Sequence, residues 1–131
     1  MLKTVSLILF GFFFMQTYDL PASIKRGKEV YAVECLACHM ESGEGLAGVY
    51  PPLAKADYLK KPVSHLIEIV LKGQEGEITV NGSKYNTPMA AQGYLVDEKI
   101  ADVLNYVRNS WGNKGSAVTP ADVKKQRALL K

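Results

Sequence analysis

Apolar residues recur every three or four positions in three stretches of the chain, which predicts three amphipathic helices. The first is expected to start near Pro21, to be capped by Ser23 and to run toward Cys35. Gly27 lies in its middle, where glycine costs about 1 kcal/mol relative to alanine. A close crossing with another helix would explain this glycine, because only glycine lets a second backbone approach so near. The apolar positions of this helix are Ile24, Val30 and Tyr31.

Two further helices have clear end signals. One covers residues 62–71 and is stopped by Gly73. The other covers residues 97–111, with Asp97 as its N-terminal cap. A short basic helix is expected after them, because residues 119–122 read Thr-Pro-Ala-Asp, a favourable helix start.

Between the second and third helices, an Asn-Gly pair at positions 81 and 82 is flanked by short strand-like segments. This pair readily adopts the positive φ angles of a two-residue turn. The pattern therefore predicts a β-hairpin formed by residues 78–80 and 83–85.

The N-terminal twenty residues differ from the rest. Lys3 precedes an apolar run at residues 5–15. A basic start and an apolar run of this length are typical of an export signal, and the run is too short to cross a bilayer comfortably. We therefore expect a signal peptide or short N-terminal anchor at residues 1–20, a domain at residues 22–112 and a basic tail with a short helix at residues 113–131. Export would place the protein outside the cytoplasm.

Composition and charge exclude other classes of protein. Of 131 residues, 47% are apolar and 22% are charged, which is typical of a globular chain and excludes a disordered one. The formal net charge of +3 is mild, and no basic stretch is interleaved with aromatic residues. A nucleic-acid partner is therefore not expected.

Both cysteines of the chain lie in a C-x-x-C-H motif at residues 35–39. Two thiols three residues apart on one helical turn can form thioether bonds with the two vinyl groups of a porphyrin. The next residue then places an imidazole under the iron. The motif predicts one haem c held covalently by Cys35 and Cys38, with His39 as the proximal iron ligand.

Three other interpretations of this motif are weaker. A thioredoxin-like dithiol is expected after a strand, whereas this motif follows a predicted helix. A structural zinc site needs four ligands, and the chain offers only the motif and the distant His65. A disulfide between Cys35 and Cys38 would close a loop too small to stabilise a domain.

A six-coordinate haem needs a second axial ligand, and the chain has four methionines. Met40 directly follows the motif and cannot reach the opposite face of the porphyrin. Met1 and Met15 lie in the predicted export segment. Met89 is therefore the expected ligand, with His65 as its rival; a methionine that only fills the core is the simpler interpretation.

A Pro-Pro-Leu sequence at residues 51–53 follows the motif. A turn there would bring a backbone carbonyl to the free nitrogen of His39, which would orient the ring and increase its basicity. Pro51 and Leu53 are therefore expected in the cofactor site. The expected porphyrin walls are Tyr50, Leu53, Leu59, Leu66, Val70 and Leu95, although ordinary core packing explains these residues nearly as well.

Over residues 22–112 the chain resembles the class I cytochromes c. This resemblance implies an all-α cytochrome c fold around one covalent haem, with a short β-hairpin insertion before the axial-methionine loop. The positions that carry it are Gly27 and Tyr31 in the first helix, Cys35, Cys38 and His39 in the haem motif, Pro51 and Leu53 after it, and Val103 and Tyr106 in the last helix.

Residues 78–85, 89–93 and 106–113 are similar, more narrowly, to periplasmic bacterial mono-haem cytochromes associated with dehydrogenases, reductases and oxidases. One feature departs from that pattern. In those proteins proline directly follows the ligand methionine, whereas here Pro88 precedes Met89.

Together these features predict a one-electron carrier between a donor and an acceptor in a periplasmic or membrane-surface redox chain. We expect an electron-transfer protein with no catalytic residue, not an enzyme, that acts as a free shuttle or as a subunit of a redox enzyme complex. The expected partners are redox proteins: a dehydrogenase, a reductase or a terminal oxidase. Contact with a membrane is expected only through an uncleaved N-terminal anchor. The alternatives are a haem enzyme or a gas or peroxide sensor with an open or labile sixth site, and a thiol-redox module.

Overall fold

A computed structural model describes residues 17–131, and most of the predicted export segment lies outside the described residues. The elements are mostly helical, as expected, with one two-stranded antiparallel hairpin. Within residues 17–131, no helix is long and apolar enough to span a membrane. In chain order the elements are α1 (Leu20–Glu34), α2 (Leu36–His39), a 3-10 helix (Asp57–Lys60), α3 (Val63–Lys72), β1 (Ile78–Val80), β2 (Ser83–Tyr85), α4 (Asp97–Arg108) and α5 (Pro120–Leu129).

Helix α1 begins earlier than the sequence suggested. Asp19 is its N-terminal cap, because its side chain accepts a hydrogen bond from the backbone N–H of Ala22 at 3.0 Å. The prediction that Ser23 caps the helix is wrong. Ser23 lies inside the first turn, is fully buried and donates to Asp102 of α4 at 2.5 Å.

Helices α1 and α4 cross at Gly27, which confirms the expected close approach. A Cβ atom at this position would lie 1.9 Å from the carbonyl oxygen of Asp102 and 2.8 Å from Cβ of Tyr106. Beyond the crossing, Tyr31 packs against Tyr106 and Trp111, with ring centroids 5.3 and 5.2 Å away. Aromatic pairs at such distances stabilise the fold by more than the burial of their apolar area alone.

Buried polar side chains reinforce this crossing. Asp102 is only 4% exposed and accepts two hydrogen bonds from Arg26 of α1, at 2.7 and 2.9 Å. Asn105 is fully buried, donates to Ser23 at 2.9 Å and exchanges two hydrogen bonds with the backbone of Val118. The network is fully satisfied, so it fixes the helix pair and ties the C-terminal segment to it.

Helix α3 and the hairpin confirm the sequence-based predictions. Helix α3 ends at Gly73, which has φ 78°. In the hairpin, Asn81 and Gly82 have φ angles of 50° and 80°, as a two-residue turn of this type requires. The strands pair with Val80 opposite Ser83.

Helix α4 differs from its prediction at both ends. Val96 is the N-cap, and Asp97, the predicted cap, is instead the first helical residue and accepts a hydrogen bond from Arg127 at 2.9 Å. The helix ends at Arg108, three residues before the predicted end. It ends there because polar side chains of the following residues donate hydrogen bonds to its last backbone carbonyls. The side chain of Asn109 donates to the carbonyl of Asn105, that of Ser110 to the carbonyl of Tyr106, and that of Asn113 to the carbonyl of Val107.

Helix α5 begins with the expected capping box between Thr119 and Asp122. It packs against α3 and α4. Val118, just before the helix, and Val123 within it are both fully buried, and they share a core cluster with Ile67 of α3. The segment from residue 113 onward is thus attached to the core through these two valines.

We predict that Gly27→Ala destabilises the protein by about 3 kcal/mol, at the upper end of overpacking effects, because its Cβ would collide with the backbone of α4. Guanidinium chloride unfolding followed by circular dichroism measures the loss. Lys28→Ala, at the exposed next position, is the control and should change stability by less than about 0.5 kcal/mol. Equal stability of the two variants would contradict the close crossing.

Candidate functional site

A cavity of about 320 Å³ lies where three clusters of buried apolar residues meet. No single cluster encloses it, because each supplies part of the wall. The first supplies Leu66, Val70 and Leu104; the second supplies Val103 and Val107; the third supplies Ala56, Val80 and Tyr85.

Both cysteines line this cavity. Cys35 links α1 to α2, and Cys38 lies in α2, so the two thiols are one helical turn apart. Neither is in a disulfide. Cys38 is exposed, whereas burial raises the pKa of the Cys35 thiol to about 12. Cys35 is therefore a protonated, apolar group in the wall at neutral pH.

His39 ends α2 and is 9% exposed. Its Nδ1 lies 3.0 Å from the carbonyl oxygen of Pro51, which is the backbone contact that the sequence predicted. A carbonyl can only accept, so Nδ1 carries the proton. Burial lowers the pKa of His39 and favours the neutral ring. A neutral ring protonated at Nδ1 leaves the lone pair of Nε2 free to bind a metal ion.

The loop after α2 holds the Pro51 carbonyl in place. Gly45 has φ 64°, and a Cβ on it would lie 2.4 Å from the carbonyl oxygen of Tyr50 and 2.7 Å from that of Pro51. The backbone N–H of Leu53 donates to the carbonyl of Gly43 at 2.7 Å. These contacts fold the loop back so that Pro51 and Leu53 both line the cavity.

Met89 also lines the cavity, from the segment between the hairpin and α4. Its backbone exchanges two hydrogen bonds with Gln74, at 2.9 and 3.1 Å. Gly73 lies so close that a Cβ there would be 2.3 Å from the carbonyl oxygen of Met89. The structure therefore brings all six predicted site residues to one cavity: Cys35, Cys38, His39, Pro51, Leu53 and Met89.

The rival ligand, His65, lies elsewhere. It is absent from the cavity wall, and its Nε2 is 3.4 Å from the hydroxyl group of Tyr58. Among residues 17–131, no three histidine, cysteine or carboxylate side chains are grouped to hold a metal ion. The structural-zinc interpretation therefore finds no support in this part of the chain.

Most of the predicted wall residues line the cavity, but Leu95 does not. Tyr50, Leu53, Leu59, Leu66 and Val70 are in the wall, whereas Leu95 is buried in the core cluster of α3, α4 and α5. The prediction is wrong for Leu95 because this residue lies two positions before the start of α4 and packs against that helix, not against the cavity.

The hairpin forms a part of the wall that was not predicted from the sequence. Ile78, Val80 and Tyr85 all face the cavity. Strand alternation was the available signal, because Ile78 and Val80 are two residues apart and Tyr85 pairs with Ile78 across the strands.

These residues fit a haem c. The wall is mostly apolar, as a porphyrin requires, and it presents two thiols one turn apart. It also presents an imidazole with a free Nε2 and one methionine sulfur. This set of donors suits a covalently attached haem whose iron takes a histidine and a methionine as ligands.

Comparison with known proteins agrees with this fit. A family model described as Cytochrome c matches residues 24–111. The chain belongs to the cytochrome c family. It is 41% identical over 111 residues to cytochrome c-552 of Thermus thermophilus, covering 78% of this chain and 84% of that protein.

Two subunits of larger enzymes are also similar to this cytochrome. It is 36% identical over 107 residues to the cytochrome c subunit of a quinone alcohol dehydrogenase from Gluconacetobacter polyoxogenes, covering 77% of this chain but 22% of the subunit. It is 38% identical over 102 residues to the cytochrome c subunit of gluconate 2-dehydrogenase from Pantoea cypripedii, covering 74% and 23%. The cytochrome carries covalent haem c and is a haem-based electron carrier.

We predict that Leu66→Ala, in the cavity wall, and Leu95→Ala, elsewhere in the core, have similar effects on stability but different effects on the midpoint potential of the haem. Both leucines are buried, so each variant should lose about 2–5 kcal/mol of stability. Only Leu66→Ala should lower the midpoint potential, because it opens the cavity wall to water, which stabilises the more highly charged ferric state. Spectroelectrochemical titration measures the potentials, and equal shifts in both variants would contradict the assignment of the wall.

Proposed function

We propose that Cys35 and Cys38 attach the haem, that His39 and Met89 are its axial iron ligands, and that the cytochrome transfers one electron at a time with no open coordination position. The observation that carries this proposal is that all four side chains line one apolar cavity. The haem supplies a reversible one-electron change between ferric and ferrous iron.

Each side chain has a distinct part in this proposal. The cysteines tether the cofactor, so that it stays with an exported protein. Pro51 keeps the proton of His39 on Nδ1 and orients the ring, so that Nε2 can face the iron. The apolar wall excludes water, which limits reorganisation when the charge changes.

The segment carrying Met89 favours a carrier over the alternative of an enzyme or sensor. An enzyme or sensor needs a sixth position that opens to peroxide or a gas. Here the backbone of Met89 is paired with Gln74 and packed against Gly73, which restrains its sulfur at the cavity. Pro88, which precedes the methionine instead of following it, also lines the cavity.

We predict that Met89→Ala abolishes the sulfur-to-iron charge-transfer band of the oxidised protein and lets the reduced protein bind CO. His65→Ala should leave both properties unchanged, because His65 does not line the cavity, although it contacts Tyr58, which does. Absorption spectra of the two variants with and without CO make the comparison. A wild-type protein that lacks the band and binds CO at once would support the enzyme or sensor alternative.

We predict that Gly45→Ala raises the midpoint potential. The new methyl group would push away the Pro51 carbonyl, which makes His39 a less basic ligand and destabilises the ferric state. Gly48→Ala is a matched control in the same loop: its φ is 75°, close to the 64° of Gly45, but its Cβ would meet nothing within 4 Å. Both variants carry similar backbone strain, so equal potentials in the two would refute a role for this carbonyl.

The proposal also covers the location of the cytochrome and its redox partners. Residues 1–20 direct export to the periplasm, and residues 22–112 form the haem domain. The redox partners are a dehydrogenase, a reductase or a terminal oxidase, and the similarity to dehydrogenase cytochrome subunits supports the first of these. Exposed lysines are available for docking to an acidic surface, although Lys84 is paired with Glu77 at 2.9 Å.

A further inference from the structure

Arg127 of α5 makes two polar contacts with the chain between Met89 and α4 and a third with the start of α4. Its Nη1 donates to the carbonyl of Gly93 at 2.7 Å, and its Nη2 donates to the carbonyl of Leu95, also at 2.7 Å. Its Nε donates to Asp97, the first residue of α4, at 2.9 Å. One guanidinium group thus bonds two loop carbonyls and one carboxylate through three separate nitrogens, whereas a lysine would have to reach all three acceptors from a single nitrogen.

The same segment is held from its other side by α3. The backbone N–H of Gln92 donates to the carbonyl of Val70 at 2.8 Å. A Cβ on Gly93 would lie 2.9 Å from the carbonyl oxygen of Leu71. Residues 92–95 therefore lie between the end of α3 and the guanidinium group of Arg127.

We infer that Arg127 is a positioning residue for Met89, in that it fixes the C-terminal end of the loop that presents the methionine to the haem iron. The N-terminal end has its own anchor in the Gln74 pairing. Without Arg127, the other end keeps the α3 contacts, the burial of Leu95 and the hydrogen bonds of Tyr94 to Glu34 and Gln92, but its carbonyls at Gly93 and Leu95 lose their charged donor. The inference rests on the proposed function, because it requires Met89 to be the axial ligand.

Arg127 belongs to a part of the chain that the family model does not match. The family match covers residues 24–111, whereas Arg127 lies in α5 beyond it. Helix α5 is itself fixed to the core by Val118 and Val123, so it offers a firm support for the guanidinium group. The C-terminal segment would thereby control how often the sixth coordination position opens.

The test uses the complete haem-loaded protein and the Arg127→Gln variant. Hydrogen bonds from a charged donor contribute more than neutral ones, so their loss should increase loop opening on the order of tenfold. We expect the reduced variant to take up CO about tenfold faster than wild type. The oxidised variant should lose its sulfur-to-iron band at a lower guanidinium chloride concentration than that at which its helices unfold.

Arg108→Gln is the matched control, because Arg108 bonds to the carbonyl of Ser116, away from the Met89 loop. It should leave CO uptake unchanged, and its band and helices should be lost together. Arg127→Lys keeps the charge but not the fork, so it should fall between wild type and Arg127→Gln; it also decides the question if Arg127→Gln fails to fold.

Two adverse outcomes are distinguishable. If wild type shows the sulfur band but both Arg127 variants take up CO at its rate, Arg127 has only a structural role and the inference fails alone. If wild type lacks the band, Met89 is not the ligand, and the proposed ligation and the inference fail together.

Discussion

The apolar cavity between three core clusters is the constraint on which the rest of this structure depends. Leu66, Val103 and Val80 belong to different clusters, yet all three line it. A chain of this size buries only a modest core, so a large apolar cofactor supplies surface that the clusters can pack against. The haem is in this sense the centre of the core, and its attachment and its burial are parts of one interaction.

The crossing of α1 and α4 places the cysteines at the edge of that cavity. Gly27 allows the two backbones to touch, and the buried carboxylate of Asp102 holds Arg26 and Ser23 across the contact. Because α1 leads directly into α2, fixing its position also fixes Cys35. The C-terminal segment extends the same arrangement, since Asn105 binds the backbone of Val118.

Local chemical signals were predictable from the sequence, and contacts between distant residues were not. The hairpin turn at Asn81 and the capping box at Thr119 depend on neighbouring residues alone, and both were predicted correctly. Ser23 and Asp97 are residue types that commonly cap helices. Each instead forms a hydrogen bond with a residue far along the chain: Ser23 with Asp102, and Asp97 with Arg127. These long-range hydrogen bonds could not be predicted from the neighbouring residues in the sequence.

The candidate site shows the same division. The C-x-x-C-H spacing indicates a haem because the chemistry lies within five residues, and the contact between His39 and Pro51 follows from a short loop. The hairpin wall and the exclusion of Leu95 from the cavity wall depend on how the elements pack.

Mass spectrometry of the mature protein from its own host, denatured and treated with iodoacetamide, tests most directly the central claim that the haem is covalently attached through both cysteines. The account predicts one species, the polypeptide plus one haem with neither cysteine alkylated; a haem-free polypeptide carrying two alkyl groups would contradict it.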